Sequence, residues 1–296
     1  GAEDNDDATN AGAAYVFVRD VDGNWSQEAY VKAFNSDAQD RYGSSVSLSS
    51  DGNTLAVGAS SEQSDAIGVD GDETNNDALL AGAVYVYARD TGTWTHEAYL
   101  KASNTDAGDQ FGARTAISGD GNTLAVCASG EDSNAQNIDG DADNDDLNGA
   151  GAGYVFVRDT GTWTQQAYVK ASNTGDADSF GASVGLSSDG NTLAVGSNRE
   201  DSDATGIDGD QDSDGTANDD FGAVYVYVRN GTTWSPESYV KASNAGNNDR
   251  FGISLGVTGD GSKILVGAVL EDSDSSGIDG DATNDDADNA GAAYLY

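Results

Sequence analysis

The sequence predicts an all-β protein, a β-propeller-like array of four-stranded antiparallel blades in about four repeats of 69–71 residues. Three observations predict it. A strand-like segment opening on glycine recurs at Gly12, Gly82, Gly151, Gly222 and Gly291, at spacings of 70, 69, 71 and 69 residues, and self-similarity at a long fixed period marks a repeat architecture. Each unit carries the same four short runs rich in β-branched and aromatic residues, with strand alternation and no helical period. Pro236 is the lone proline, which excludes collagen-like and proline-rich linker readings.

The second unit shows the elements in order. Gly82–Ala88 is the first strand, ended by Arg89-Asp90 and a Thr91-Gly92 turn. Trp94–Lys101 alternates as a half-exposed strand does. After a polar loop to Asp109, Phe111-Gly112 opens a third strand through Thr115 and Ile117, with small residues where another backbone can come close. Asp120-Gly121 signals a tight turn. Leu124–Ala128 is short and continuously apolar, as an interior strand is. Four antiparallel strands repeated about an axis describe blades better than a sandwich. The chain is therefore one repeat domain, 1–296, with repeats at 12–81, 82–150, 151–221 and 222–290 and a surplus strand at 291–296.

Acidic residues number 52 against 13 basic ones, for a formal charge of -39. Nucleic acid is excluded as a partner, because binding it needs Lys and Arg to neutralise phosphates, and an anionic membrane surface is excluded on the same ground. So large an excess of one sign opposes compaction unless cations or salt screen it. No apolar run reaches 18 residues, so no membrane insertion is expected. The abrupt start without Met predicts that a signal peptide or neighbouring sequence has been removed, and the expected location is extracellular or at the cell surface. Cys127 stands alone where other units have Gly58, Gly196 and Gly267. It reads as a small buried residue, not a nucleophile.

The unit ends in a loop of some 22 residues, long enough to be functional or tied down by ligands. Each loop carries Ile or Val before an Asp-Gly-Asp core. Calcium takes six to eight hard oxygen ligands, and alternate carboxylates with Gly easing the turn present them. The fullest sets are Asp139, Asp141, Asp143 and Asp145, and Asp208, Asp210, Asp212 and Asp214; Asp70, Asp72 and Asp77, and Asp279, Asp281 and Asp285, are sparser. Upstream acids at Glu131-Asp132, Glu200-Asp201 and Glu271-Asp272 are placed to close each shell, and Ile138, Ile207 and Ile278 to plug each loop onto its blade. The competing reading is a soluble acidic linker of a salt-adapted protein. Ca²⁺ is the expected ion; Mg²⁺ retains its waters, and zinc would want His or Cys, of which there are only His96 and Cys127.

Phe111-Gly112 or Phe180-Gly181 opening a strand, Leu55–Ala59 in the next, then Gly-Ala-Val-Tyr-Val-Tyr, together resemble the FG-GAP repeat, the blade unit of the integrin α-subunit propeller. The resemblance implies a propeller fold. In the integrin pattern the calcium ligands lie in the hairpin after the Phe-Gly strand. Here that hairpin is only Ser50–Asn53 or Ser188–Asn191, too short to wrap an ion, so those ligands do not carry over.

Residues 1–17 match 280–296, which leaves three arrangements open. The first two strands can close a four-bladed ring on the last Phe-Gly strands, leaving 291–296 over; the chain can be part of a longer array; or 291–296 can add to another copy in a head-to-tail, strand-exchanged filament. Repetition of every polar feature argues against a unique active site, so the protein is read as not an enzyme. The expected role is a calcium-stabilised structural or adhesion protein of a surface, matrix or filament, the alternative a glycan- or protein-binding, lectin-like module. Trp25, Trp94, Trp163 and Trp234 read as packing between blades, His96 as an exposed accident, and the repeated Lys32, Lys101, Lys170, Lys241 and Arg19, Arg89, Arg158, Arg229 as bridges to acids.

Overall fold

The computed structural model describes residues 7–212, 219–282 and 284–296. Those residues form strands and no helix. β1 (Ala14–Arg19) and β2 (Trp25–Val31) make a two-stranded sheet. Three complete blades follow: β3 (Tyr42–Leu48), β4 (Thr54–Ala59), β5 (Ala83–Asp90) and β6 (Thr93–Leu100); β7 (Arg114–Ile117), β8 (Thr123–Ala128), β9 (Ala152–Asp159) and β10 (Thr162–Val169); β11 (Phe180–Leu186), β12 (Thr192–Ser197), β13 (Ala223–Asn230) and β14 (Thr233–Val240). β15 (Phe251–Val257), β16 (Ile264–Ala268) and β17 (Ala292–Leu295) form a last, three-stranded blade. Every strand-to-strand pairing among the described residues is antiparallel, and single parallel bridges join Gly12 to Tyr42 and Gly82 to Phe111.

Each complete sheet begins on the Phe-Gly strand or its counterpart and ends on the Trp strand. The acidic loop therefore joins the second and third strands of one blade, and the shorter loop after the Trp strand crosses to the next. Counting repeats from Gly12 cuts every sheet in the middle, because periodicity fixes a length and not a phase.

The innermost strands β3, β7, β11 and β15 lie side by side. Main-chain bonds tie their hairpin tips: Ser50 N donates to Gly119 O at 3.0 Å, Gly119 N to Ser188 O at 2.8 Å and Ser188 N to Gly259 O at 2.9 Å. Apolar cores sit between sheets, so β4, β5, β8 and β9 are buried on both faces over most of their length. At each centre an aromatic residue packs against the third-strand tyrosine, Tyr42 on Tyr85 at 5.3 Å, Phe111 on Tyr154 at 5.3 Å and Phe180 on Tyr225 at 5.5 Å between ring centroids. The approach of blades is close enough to need glycine: a Cβ on Gly58 would lie 2.0 Å from Gly112 O, and one on Gly196 2.1 Å from Gly252 O.

The ends differ from the closed ring. Among the described residues β1 and β2 pair with each other alone, and Gly291–Tyr296, counted as surplus, supplies β17, which pairs with β16. The chain's own Tyr294 and Tyr296 reach Phe251 at 5.4 and 6.2 Å, so the place that β1 would take in a ring is filled from within the last repeat.

Candidate functional site

Each acidic loop is pinched at its base by one main-chain bond, from Gly82 N to Glu62 O, Gly151 N to Glu131 O, Gly222 N to Glu200 O and Gly291 N to Glu271 O, at 2.8–2.9 Å. The loop then folds back onto the outer strand of its own blade. Val69, Ile138 and Ile207 form single antiparallel bridges with Leu100, Val169 and Val240. The next residue has left-handed backbone, with φ of 52° at Asp70, 53° at Asp139 and 53° at Asp208, a region that Asp tolerates better than most residues. Its N–H donates to the carbonyl of Tyr99, Tyr168 or Tyr239, and its carboxylate accepts from the N–H of the same tyrosine at 2.9–3.0 Å. The recurring Ile-Asp pair is thus a clasp on the exposed edge, covering strand groups that would otherwise invite foreign strands. Asp279 has a similar φ, 55°, and Ile278 is 93% exposed.

The other sequence-predicted ligands are dispersed. Asp72, Asp141 and Asp210 turn inward locally, accepting from the N–H groups of Thr74, Asp143 and Asp212. Asp132, Asp201 and Asp272 cap the far end of their loops through the N–H groups of Gly149, Asp220 and Asn289. Asp77, Asp281 and Asp285 lie on exposed loop turns; Asp214 lies outside the described residues. Among the described residues no three His, Cys, Asp or Glu side chains converge as a metal shell. The loops' own packing comes from a residue the sequence reading passed over. Asn75, Asn144 and Asn284 each accept from the main chain ten residues back and donate to the carbonyl of Asp72, Asp141 or Asp281.

Carboxylates do crowd one place, where the loop meets the crossing after the Trp strand. Burial, with Asp145, Asp132 and Glu131 nearby, holds the Asp106 carboxyl above its ordinary range. Asp109 is pushed up to about 7, mainly by burial, and Asp40 and Asp249 to about 6 for the same reason. One oxygen of Asp40, Oδ1, is buried without a hydrogen-bond partner. The donors there are carboxylate oxygens, the hard type that calcium takes, but among the described residues no three of them converge on one point. In the first unit Asn76 stands where Asp145 does and donates to Asp37 at 3.0 Å, so that unit carries a neutral pairing where the second places two carboxylates.

Beneath the loops lies a repeated buried ion pair. Lys101 Nζ is 3.0 Å from Glu62, Lys170 2.7 Å from Glu131 and Lys241 2.6 Å from Glu200, with side-chain exposures of at most 2%. Each Lys also donates to the carbonyl of Ser64, Ser133 or Ser202, and each Glu accepts from Asn35, Asn104 or Asn173. Glu131 and Glu200, expected to close metal shells, are held by these lysines instead. A second set links adjacent blades. A bulge in the outer strand pair leaves Glu28, Glu97 and Gln166 unpaired in register and aims each at the next blade. There Glu28 meets Arg89 and Trp94, Glu97 meets Arg158 and Trp163, and Gln166 meets Arg229 and Trp234. Trp94, Trp163 and Trp234 are interblade packing residues, whereas Trp25 is 68% exposed.

Cys127 is buried and its thiol is pushed up to about 12, which makes it inert. It faces Arg114 in register, where the other blades pair Ser45 with Gly58 and Ser183 with Gly196. The cleft lined by Ser172, Asp208, Gln211, Pro236 and Tyr239 has a counterpart in an earlier blade with aromatic residues in it. Phe34 packs edge-on against His96 at 4.6 Å, and the two line a shallow cleft with Asp70, Glu73 and Tyr99.

The FG-GAP repeat pattern matches residues 25–87 and 94–156. No curated protein matches the sequence. Among solved structures the chain is similar to the periplasmic gluconolactonase PpgL of Pseudomonas aeruginosa, at 15% identity and a TM-score of 0.46, over 90% of this chain and 61% of that one. It is also similar to a Bacteroides uniformis protein provisionally named a 6-phosphogluconolactonase, at 14% identity and a TM-score of 0.45, over 86% of this chain and 57% of that one. The chain thus spans about three fifths of the length of either. No helix among the described residues is long and apolar enough to cross a membrane.

Proposed function

Because FG-GAP repeats match residues 25–87 and 94–156, we propose that the protein is a non-catalytic, extracellular scaffold of a surface, matrix or filament, and that its acidic loops take up calcium. One observation carries the scaffold reading. The buried ion pairs recur blade after blade at the same place, Lys101–Glu62, Lys170–Glu131 and Lys241–Glu200, and chemistry on a substrate needs a constellation that differs from its surroundings. FG-GAP repeats are typical of extracellular or periplasmic proteins, which supports the location.

Calcium is supported by the crowding at Asp106, Asp109, Asp132 and Asp145 in one unit and, separately, by the unpartnered Asp40 Oδ1 in the unit before it. In the second unit Asp106, Asp109, Asp132 and Asp145 would hold the ion; its contribution would be to offset repulsion and stiffen the loop. An ion that binds only the folded chain raises its stability by mass action. Melting at constant ionic strength tests this: the account expects the melting temperature to fall on adding EDTA and to return with excess Ca²⁺. No response to EDTA, with a strong response to NaCl, would leave general salt screening in its place.

The Phe34–His96 cleft favours a second reading, a glycan-binding face, because an aromatic wall beside carboxylates suits sugar rings and hydroxyls. Glycan-array binding that is lost in Phe34→Ala would support it.

A further inference from the structure

The innermost strands are tied at their hairpin tips, and at their opposite end an open cleft of about 530 Å³ lies between the β7–β10, β11–β14 and β15–β17 sheets. Every residue that lines it lies between 110 and 253, away from both ends of the sequence. Its rim is built by repetition. The residue before each Phe-Gly strand or its counterpart has left-handed backbone, with φ of 56° at Arg41, 58° at Gln110, 56° at Ser179 and 57° at Arg250. The N–H of that residue donates to the end of the preceding acidic loop, at Asn10, Leu80, Gly149 or Asp220 O. Gln110, Ser179 and Arg250 are thereby set at equivalent places around the cleft.

The charge on this frame is not repeated. Three of the lining residues are arginines, Arg114, Arg199 and Arg250, in a chain with 13 basic residues against 52 acidic ones. Arg114 opens β7 where the other innermost strands carry Ser45, Ser183 and Ser254 in the same register. Arg199, just before Glu200, stands where the other units have Ser61, Gly130 and Leu270. Arg89 and Arg158 meet carboxylates at the blade junctions, but among the described residues neither Arg114 nor Arg199 takes part in an ion pair. Main-chain carbonyls hold Arg114 across the junction of two blades, Nε donating to Ala182 O at 3.1 Å and Nη1 to Ala113 O at 2.8 Å. Arg250 Nη2 reaches Asp220 at 3.3 Å, while its Nε is buried with no hydrogen-bond partner. Buried donors normally find one. The remaining lining is small and neutral, with Ser129 and buried Asn198 among it, and holds no Asp, Glu, His or Cys.

We propose that this cleft binds a small carboxylate that carries hydroxyl groups, a uronic acid being the simplest kind. Guanidinium groups present paired donors that match a carboxylate, and the neutral amides and hydroxyls of the lining suit sugar hydroxyls. The volume is that of a small-molecule site. A formal charge of -39 works against ligands with several negative charges, so one carboxylate on an otherwise neutral molecule is favoured over phosphate. With no acid, imidazole or thiol in its wall, the cleft is equipped to bind and not to react. The inference goes beyond the scaffold reading: it needs neither calcium nor the Phe34–His96 cleft.

Calorimetric titration of the 296-residue chain in EDTA at constant ionic strength tests it, with galacturonate as the probe, galactose as the uncharged control and inorganic phosphate as the competing anion. Saturable binding of galacturonate is expected, with none of galactose and weaker binding of phosphate. Arg199→Ser and Arg250→Gln install residues that other units carry at the same places, and each is expected to weaken binding about tenfold or more. Arg199→Lys, which keeps the charge and loses the fork, is expected to fall between Arg199→Ser and the unmodified protein. Lys263→Ser removes the same charge from an exposed hairpin tip and is expected to leave binding unchanged. Melting each variant first shows that it is folded, and the conservative Arg199→Lys carries the test if either of the others is not. No saturable binding of galacturonate, phosphate binding as tight as or tighter than galacturonate, or an equal loss in Lys263→Ser would overturn the proposal. Failure here leaves the chelation result untouched, and a flat chelation result leaves this one untouched.

Discussion

Lys170 Nζ lies 2.7 Å from Glu131 Oε2, with both side chains buried. One more acceptor and two donors complete the cluster: Ser133 O accepts from the lysine, and Asn104 and the Tyr168 hydroxyl donate to the carboxylate. A buried ion is tolerated when its partners are present and costs several kcal/mol when one is removed. Lys170→Met is therefore expected to destabilise the protein by about 3–5 kcal/mol in urea unfolding. Lys170→Met with Glu131→Gln is expected to recover most of that loss. Equal losses in single and double variants would mean that the pair contributes through shape and not charge.

The close approach of blades gives a second expectation. Gly58→Ala would place a methyl group 2.0 Å from Gly112 O, main chain against main chain, whereas Gly206 has nothing within 4 Å and only its φ of 75° to strain. Gly206→Ala is expected to cost on the order of 1 kcal/mol, as a left-handed position does. Gly58→Ala is expected to cost more than 3 kcal/mol, the range of severe overpacking or above. Chemical denaturation of the two variants side by side checks the order.

Buried carboxylates give the pH dependence. Burial raises Asp109 to about 7 and Asp40 and Asp249 to about 6, against about 3.9 for an unfolded Asp. Between those values the folded chain holds protons that the unfolded chain has lost, so stability falls as pH rises from about 4 to about 7. Asp109→Asn is expected to flatten that slope and to raise the melting temperature at pH 8 in EDTA. A melting temperature that rises through this window would contradict it.

Much of the fold is legible in the sequence because strand alternation and the spacing of Gly12, Gly82, Gly151, Gly222 and Gly291 are local or periodic signals. The interior character of Leu124–Ala128 and the packing role of Trp163 follow from the same signals. Phase is not legible: nothing in the spacing says that Gly82 opens the third strand of a sheet and not the first. The site was less legible still. Repetition of Ile-Asp-Gly-Asp marks the residues, but a carboxylate that ligates an ion and one that clasps the Tyr168 N–H leave the same trace in a sequence. Asp109 escapes, and Lys170 is legible only as a bridge to an acid, because what matters about both is burial, which depends on parts of the chain far away in sequence.

Calorimetric titration of the chelator-stripped protein with Ca²⁺, at constant ionic strength and beside a matched Mg²⁺ titration, tests the central claim most directly. The account predicts saturable binding, tighter for Ca²⁺ than for Mg²⁺, and weakened by Asp106→Asn with Asp145→Asn. Heats that match those of the NaCl control, with no saturation, would contradict it and leave the acidic loops as clasped, screened surface.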